Sequence, residues 1–323
     1  MSGVGASLAD PAPGRPGRQR ILVIKLGALG DFVQAMGPAA AIRAHHPEAA
    51  ITLLTAAPFA ELARRAPYFD DVWIDERPRL LAPRGLLALR RRLRAADFAR
   101  VYDLQTSSRS SAYFHLFGPG ARPDWNGIAR GASHPHDNPR RDAMHTVERQ
   151  ADQLRRSGIG SVPLPDLSWA AADVTRLALP ERFVVLVPGG AAHRPAKRWP
   201  AESYGNLAAV IAARRVTPVI VGGGQEAALA AAIVARCPIA RDLTGRTEFG
   251  DIVGLGRRAL RAVGNDTGPM HLLVAAGCAA TVLYSAASDP ALTAPRGADV
   301  AILRRPDLAA LAVDEVAATL GFG

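Results

Sequence analysis

A Gly-rich turn near the start of the chain carries a carboxylate that could act as a general base. The segment KLGALGD (25–31) follows an apolar run. Glycines after a strand allow a tight turn and close backbone approach, and the next helix offers free N–H groups to a polar ligand. Asp31 falls near the predicted start of that helix, where a carboxylate also serves as a helix cap. The spacing therefore leaves two interpretations open, a catalytic carboxylate and a cap.

A second segment, PGGAAHRPAKRWP (188–200), combines glycines with cations. Two adjacent cations, Lys197 and Arg198, stand directly before Trp199 and suit a phosphate clamp. A basic surface loop around a buried Trp is the alternative. Lys197 is one of two lysines among 39 cations, the other being Lys25. The retention of lysine in a chain that otherwise uses arginine favours a specific function.

A third segment, GNDTGPMH (264–271), lies between a predicted strand and an apolar helix. Asp266, Thr267 and Gly268 could present a hydroxyl group and backbone N–H groups to a phosphate or a sugar. The alternative is that Asp266 or Thr267 caps the helix, and a lone His271 is more often structural than catalytic.

The elements that must position these segments alternate between strand and helix, which predicts parallel sheets in an α/β fold. A helix follows Asp31, 105–111 reads as a polar loop and 118–142 as an irregular loop. The predicted strands are 20–26, 50–55, 72–74, 98–104, 183–187, 218–221, 262–264 and 281–284, and the further helices are 58–66, 85–96, 143–157, 203–214, 225–236 and 309–320.

The alternation stops and restarts, which predicts two Rossmann-like domains that face each other across a cleft. Ligands of such sheets bind at the carboxyl ends of the strands, where the Gly-rich segments fall. The predicted parts are a disordered tail (1–19), an N-terminal acceptor-side domain (20–160), a linker (161–182), a C-terminal nucleotide-binding domain (183–308) and a final helix (309–323).

Positive charge is concentrated in the first half of a chain of 323 residues with a net charge of +10. Residues 1–160 hold 23 Lys and Arg against 15 Asp and Glu, and residues 161–323 hold 16 against 14. This asymmetry predicts an anionic partner for the first half, either nucleic acid, an acidic membrane surface or an acidic substrate. The run RRRLR (90–94) is either a solvated helix face or a contact with an anionic surface.

Several classes of protein are disfavoured by the remaining features. Two cysteines, Cys237 and Cys278, cannot form a disulfide framework, and no His, Cys or Glu set has metal-ligand spacing. The start of the chain lacks an apolar signal region and no stretch is long enough to span a membrane, so we expect a cytoplasmic protein. GLGRRA (254–259) fits a dinucleotide fingerprint but lacks a long preceding strand, so we interpret it as a chance match inside a helix.

Taken together, the motifs resemble the heptosyltransferase family, the inverting glycosyltransferases that use ADP-heptose. The resemblance rests on ILVIKLGALGD (21–31), VYDLQ (101–105), PGGAAHRPAKRWP (188–200), DLTGRTEF (242–249) and GNDTGPMHL (264–272), and it covers about residues 20–320. It implies a GT-B fold, no required metal or cofactor, and a sugar nucleotide held mainly by the C-terminal domain.

The resemblance also assigns roles to individual residues. Asp31 would be the general base and Lys197 would bind the donor phosphates. Asp266, Thr267, Gly268 and His271 would lie near the diphosphate and the sugar, and Glu226 would bind the ribose. The remaining implied contacts are Gly189 and Gly190 on the donor side, and Lys25, Gly27, Gly30 and Gln105 on the acceptor side.

One departure from the family concerns the phosphate loop. Family members often carry Thr or Ser after the Pro-Gly pair, whereas this chain has Ala191, Ala192 and His193. Backbone N–H groups or His193 would then replace the hydroxyl contacts.

The expected activity is metal-independent transfer of heptose to an anionic lipopolysaccharide inner-core acceptor. We expect a monomer that does not bind nucleic acid, with peripheral contact at the inner membrane left open. Two alternatives remain: a transferase of the same fold with another sugar nucleotide or acceptor, and a dinucleotide-dependent oxidoreductase.

Overall fold

The computed structural model describes residues 18–77, 83–120, 122–190 and 194–321. These residues form two six-stranded sheets in which every strand pairing is parallel. The first sheet contains β1 (Arg20–Ile24), β2 (Ala50–Thr55), β3 (Asp71–Ile74), β4 (Arg100–Asp103), β5 (Asp124–Gly127) and β6 (His134–Pro135). The second contains β7 (Phe183–Val187), β8 (Thr217–Ile220), β9 (Arg241–Asp242), β10 (Arg261–Asn265), β11 (Ala280–Tyr284) and β12 (Val300–Arg304). The predicted α/β class is confirmed.

Helices connect the strands and cover both faces of each sheet. In the first half they are α1 (Leu29–Gln34), α2 (Met36–His45), α3 (Ala60–Arg64), α4 (Pro83–Ala95), α5 (Ser108–Leu116) and α6 (Thr146–Arg155). In the second half they are α7 (Ala201–Ala213), α8 (Ala227–Arg236), α9 (Phe249–Gly256), α10 (Gly268–Ala275), α11 (Pro290–Thr293) and α12 (Val313–Ala318).

Both sheets have the same connectivity. The first runs β3-β2-β1-β4-β5-β6 and the second β9-β8-β7-β10-β11-β12. In each, the strand order reverses beside the first strand, between β1 and β4 and between β7 and β10. Open α/β sheets bind ligands in the crevice at such a switch point. The segments after β1, β7 and β10 are those that the sequence singled out.

The apolar core explains why β1 and β7 are nearly continuous apolar runs. Helices cover both faces of a parallel sheet, so side chains on both faces are buried. One apolar cluster continues from Ile21 and Phe32 in the first half to Met270 and Val185 in the second. The two domains therefore share buried apolar surface, beside the cleft.

The structure differs from the sequence prediction in the region expected to be irregular. Residues 118–142 contain the short strands β5 and β6, and Trp125 of β5 is fully buried against Phe114, with ring centroids 5.3 Å apart. Most of the expected polar loop 105–111 is instead the start of α5. Ser107 caps this helix, because its side-chain oxygen accepts a hydrogen bond from the Ser110 N–H. Four-residue strands and a Ser-rich helix start carry too little periodicity to be recognised.

The C-terminal end also differs. The expected helix at 309–320 is a 3₁₀ turn at Leu308–Ala310 followed by the shorter α12, and the edge strands β9 and β12 were not predicted. The segment GLGRRA (254–259) begins inside α9, as the sequence analysis expected.

The domain boundaries stay predictions. The predicted linker, 161–182, runs along the second domain, where the Leu167 N–H donates to the Ala275 carbonyl at 2.9 Å. Of the predicted tail, residues 1–17 lie outside the described residues, and Arg18 donates to the Ala49 carbonyl at 3.0 Å. None of the described helices is long and apolar enough to cross a membrane.

Candidate active site

Asp31 lies in the first turn of α1, at the carboxyl end of β1. The helix begins after Ala28 and receives no side-chain cap, so Asp31 is not the N-cap. Its carboxylate makes no hydrogen bond or ion pair within the described ranges. The negative charge of Asp31 nevertheless acts on three nearby groups. It raises the pKa values of Lys25, Arg149 and His271, whereas burial lowers them. A partly exposed carboxylate without a fixed partner is free to accept a proton.

The glycines of the first turn are required by close contacts. Gly27 has φ = 119°, which disfavours other residues, and a Cβ there would lie 2.6 Å from the ring of Phe59. A Cβ on Gly30 would lie 2.9 Å from Cδ2 of His271. Across the interface, a Cβ on Gly268 would lie 2.7 Å from Leu29. The turn before α1 and the start of α10 therefore touch at a distance that only glycine permits.

Lys25 and Gln105 make hydrogen bonds that support the switch point of the first sheet. Lys25 is only 4% exposed and donates from Nζ to the Leu104 carbonyl at 3.2 Å. The Gln105 side-chain oxygen accepts from the Leu26 N–H at 2.8 Å. These bonds join the ends of β1 and β4 and so shape the switch point. Acceptor contact remains a prediction for Lys25, Gln105, Gly27 and Gly30.

A buried carboxyl group lies beside Lys25. Asp103, at the end of β4, is fully buried, and burial raises its pKa to about 6 while hydrogen bonds and the charge of Lys25 oppose the rise. Burial in turn lowers the pKa of Lys25. One oxygen of Asp103 accepts from the N–H groups of Gln105 and Thr106, at 3.1 and 3.0 Å.

On the other side of the cleft, Lys197 forms an ion pair with Asp266. Nζ lies 2.6 Å from Oδ2, and the two side chains are 14% and 10% exposed. Burial would raise the pKa of Asp266, but the hydrogen bond and charge of Lys197 outweigh it and lower the pKa. An ammonium group has three N–H donors, so two remain free for phosphate oxygens. The two motifs at 188–200 and 264–271 are thus joined.

Asn265 organises this half of the site, and the sequence analysis did not select it. The fully buried amide donates to the Pro188 and Gly189 carbonyls at 2.8 and 3.1 Å. Its oxygen accepts from the Trp199 N–H at 3.0 Å and the Tyr204 hydroxyl at 3.1 Å. Asn265 therefore holds the turn after β7 and the Trp199 region against the end of β10. The one sequence signal for Asn265 was its position within the GNDTG segment (264–268), beside Asp266.

His271 lies at the contact between the domains. Gln34 donates from Nε2 to the Thr293 carbonyl at 2.9 Å, which fixes the orientation of its amide. The same nitrogen lies 3.3 Å from Nδ1 of His271, so Nδ1 is the acceptor and the ring proton is on Nε2. Burial lowers the pKa of His271 to about 4, against the charges of Asp266 and Asp31. At neutral pH the ring is an uncharged N–H donor near both carboxylates.

The two domains are joined at the C-terminal end of α11. The last carbonyls of a helix have no partner within it. Here three successive carbonyls accept from side chains of α1 and of the start of α6. The pairs are Thr146 with Leu292 (3.2 Å), Gln34 with Thr293 (2.9 Å) and His145 with Ala294 (2.9 Å). The first domain therefore caps a helix of the second.

Arg149 and His145 also border this region, and sequence spacing gave no signal for either. Burial lowers the pKa of Arg149, while the charge of Asp31 raises it. Burial likewise lowers the pKa of His145, whose Nδ1 accepts from the Val147 N–H. Both lie far along the chain from Asp31 in an ordinary helical pattern, so only the tertiary fold brings them together.

Glu226 follows β8 and is buried between two glycines. A Cβ on Gly189 would lie 2.7 Å from Cγ of Glu226, and one on Gly222 would lie 3.0 Å from its Cβ. Its carboxylate makes no hydrogen bond to any residue that the structure describes. A cavity of about 440 Å³ borders this edge of the sheet, within the size range of ligand pockets. Residues of both domains line it, including Pro58, Leu62, Gly222, Gly223, Phe249 and Pro269.

The remaining predicted residues are placed as follows. Gly190 follows Gly189 after β7, and its carbonyl accepts from Arg198 at 2.5 Å. Thr267 is the N-cap position of α10 but makes no side-chain cap bond. His193 lies outside the described residues. Among the residues that are described, no group of three His, Cys, Asp or Glu side chains could hold a metal ion.

Two Rossmann-like domains with a ligand-binding switch point in each sheet have the architecture of the GT-B fold. The family model of glycosyltransferase family 9 (heptosyltransferase) matches residues 86–316, so the chain belongs to this family. A search of curated proteins finds no match.

Solved structures have the same fold at low sequence identity. A family 9 glycosyltransferase from Veillonella parvula is 19% identical, with a TM-score of 0.81 over 93% of this chain and 95% of that one. E. coli ADP-heptose LPS heptosyltransferase II is 21% identical, with a TM-score of 0.75 over 94% and 98%. E. coli heptosyltransferase WaaC with ADP is 20% identical, with a TM-score of 0.75 over 93% and 98%.

Proposed function

We propose that this glycosyltransferase moves a heptose from ADP-heptose to an anionic inner-core acceptor of lipopolysaccharide, with inversion and without a metal ion. Membership of family 9 and the structural likeness to an E. coli ADP-heptose LPS heptosyltransferase support the proposal. The observation that carries it is the carboxylate of Asp31, which has no hydrogen-bond or ion-pair partner among the described residues and whose charge acts on His271 together with that of Asp266, the partner of Lys197.

Asp31 acts on the acceptor. It removes the proton from an acceptor hydroxyl group as the oxygen attacks the anomeric carbon of the donor. ADP leaves from the opposite face of the sugar, so the configuration inverts. Within the described ranges no ion pair occupies the carboxylate, so its oxygens are available to the acceptor hydroxyl group.

The second domain acts on the donor. The two free N–H donors of Lys197 stabilise the charge that grows on the diphosphate, a task that a metal ion performs in other transferases. Backbone N–H groups after Gly189 and at the start of α10 add to this stabilisation. Glu226 accepts hydrogen bonds from the ribose, and the adjoining 440 Å³ cavity takes the base. Neutral His271 donates from Nε2 to a sugar or phosphate oxygen.

An Asp31→Asn variant tests the proposed base. Transfer from ADP-heptose to a purified inner-core acceptor should fall by about 10²–10⁴-fold, while the Kd for ADP by calorimetry stays near that of the unchanged protein. Asp97→Asn is the matched control, because Asp97 is exposed and precedes β4, at the amino ends of the strands and away from the site. Equal loss of ADP binding in Asp31→Asn would contradict the general-base role.

A transferase with another sugar nucleotide is the second candidate. Ala191 and Ala192 stand where relatives often carry hydroxyl residues, so the donor contacts of this chain differ from those of the family pattern. Calorimetric titration with ADP-heptose, ADP-glucose, UDP-glucose and GDP-mannose decides between them. Tightest binding of a non-adenine nucleotide would overturn the proposed donor. The monomeric state and the cytoplasmic location stay predictions.

A further inference from the structure

The outer face of α4 carries exposed arginines that the transfer reaction does not use. Arg84, Leu87, Arg91 and Arg94 follow each other at helical spacing, and Arg90 stands beside them; all five side chains are exposed. We call these five residues the α4 arginine face. Leu87, the one apolar member, is 55% exposed.

The charges of the α4 arginine face are unpaired. Within the described ranges no ion pair involves Arg84, Arg90, Arg91 or Arg94. Other arginines of the first domain do have partners, such as Arg100 with Asp124 at 2.9 Å. Four uncompensated cations on one short surface create a field that attracts an anionic surface.

The rest of α4 is committed to packing. Arg92 stacks over the Trp73 ring, 3.9 Å from its centroid, and burial lowers its pKa. Leu93 is fully buried, and Leu89 packs against the same cluster. This division leaves the α4 arginine face as the solvent side of a firmly anchored helix.

The position of α4 turns this face away from the second domain. Leu93 shares an apolar cluster with Leu22 and Ile24 of β1. The core that continues into the second domain contains Ile21 and Val23 instead. Alternate residues of a strand point to opposite faces, so α4 covers the sheet face remote from the second domain. A flat partner could reach the arginines without entering the cleft.

We propose that the α4 arginine face docks the enzyme on an anionic lipid bilayer. The arginines contact lipid phosphates, and Leu87 enters the headgroup region between them. An exposed leucine within the basic stripe, and no aromatic residue in α4 for base stacking, favour a membrane over nucleic acid. The role of docking in catalysis rests on the proposed function, because a lipid-linked acceptor would lie in the same membrane.

Vesicle co-sedimentation tests the proposal. The probes are vesicles of phosphatidylcholine alone and vesicles with about one-third phosphatidylglycerol, from about 0.05 M to about 0.5 M salt. The protein should bind only the anionic vesicles and detach as salt rises. Each cation near an anionic surface contributes roughly fivefold to binding, so Arg90→Gln/Arg91→Gln/Arg94→Gln should weaken it by about 100-fold.

A control variant of equal charge separates a local surface from a diffuse field. Arg182→Gln/Arg241→Gln/Arg257→Gln removes three exposed arginines of the second domain. Equal weakening by both triple variants would overturn the proposal, as would binding that ignores phosphatidylglycerol. Leu87→Gln should weaken binding to the anionic vesicles at low salt, because it removes the one apolar side chain of the α4 arginine face. Melting temperatures near that of the unchanged protein show that the variants fold.

Two further readouts separate this proposal from its rival and from the proposed function. We call Arg90→Gln/Arg91→Gln/Arg94→Gln the α4 variant. If the unchanged protein binds random duplex DNA more tightly than vesicles, and the α4 variant loses this binding, the surface binds nucleic acid and membrane docking is overturned. Transfer to acceptor in detergent should be unchanged in the α4 variant, while transfer to acceptor in anionic vesicles falls. If no transfer occurs with any protein, the proposed function fails while vesicle binding still decides the docking surface.

Discussion

Replacement of Lys197 by Met should destabilise the unliganded protein as well as weaken donor binding. Methionine keeps the length of the side chain but leaves Asp266 buried without its partner at 2.6 Å. Removal of one member of a buried ion pair costs about 3–5 kcal/mol. Both side chains retain slight exposure, at 14% and 10%, so we expect a value near the lower limit.

The loss should depend on pH in a defined direction. Lys197 lowers the pKa of Asp266, so the pair contributes stability above the unfolded pKa, and this contribution is lost as pH falls through the folded pKa. Without Lys197, the hydrogen bond with Ser288 still opposes the effect of burial, but the pKa of Asp266 should be higher than in the unchanged protein. The difference between Lys197→Met and the unchanged protein should therefore be largest near neutral pH and shrink as pH falls through the raised pKa of Asp266 in the variant and then through its lowered pKa in the unchanged protein.

Urea unfolding at several pH values checks this reasoning. The set comprises the unchanged protein, Lys197→Met, Asp266→Asn and the double variant. The double variant should recover about 1–3 kcal/mol relative to the sum of the single effects. Two results would refute the ion-pair argument. Lys197→Met could lower the free energy of unfolding equally at neutral and acid pH, or it could lower it just as much when Asp266 is already replaced by Asn. Unchanged ADP affinity in Lys197→Met would instead refute its phosphate contact.

Three further predictions follow from buried contacts. Asn265→Leu should cost at least about 4 kcal/mol in urea unfolding and weaken ADP binding in calorimetry, because four partners lose hydrogen bonds at about 1–3 kcal/mol each. Unchanged ADP binding would contradict its positioning role. Gly30→Ala should lower stability by about 1–3 kcal/mol in thermal unfolding, because the added Cβ would lie 2.9 Å from His271. A stabilised variant would contradict this close contact between the domains. Burial raises the pKa of Asp103 to about 6, so its contribution of about 3 kcal/mol is present below about pH 4 and lost as pH rises through about 6. Asp103→Asn should remove this part of the pH dependence of the urea midpoint, and an identical pH profile would contradict it.

The sequence predicted the elements and turns that depend on local pattern. The buried strands β1 and β7 are apolar runs, and the topology of an α/β sheet places the residues after them at a crevice. This reasoning located Asp31 and Gly189 before any contact was known. It also predicted a helix at GLGRRA (254–259), and the two glycines of this segment lie at the end of α9, not in a turn that follows a strand.

The pairing of side chains could not be predicted in the same way. Lys197 lies 69 residues from Asp266, and Gln34 lies 237 residues from His271, so no local spacing connects them. Lys25 illustrates the limit most clearly. Its type and position suggested a cation that faces a ligand, but they gave no sign that the side chain is buried and donates to the Leu104 carbonyl where β1 and β4 end.

The capping of α11 by the first domain has a consequence for mutational tolerance. Every acceptor in that contact is a main-chain carbonyl, whereas every donor is a specific side chain. Leu292 and Thr293, which are only partly buried, can therefore change identity without loss of these hydrogen bonds, whereas Ala294 is also buried in the apolar core. Gln34 and His145 cannot. A saturation mutagenesis survey should thus show a permissive segment in one domain opposite restricted positions in the other, although both sides form a single interface.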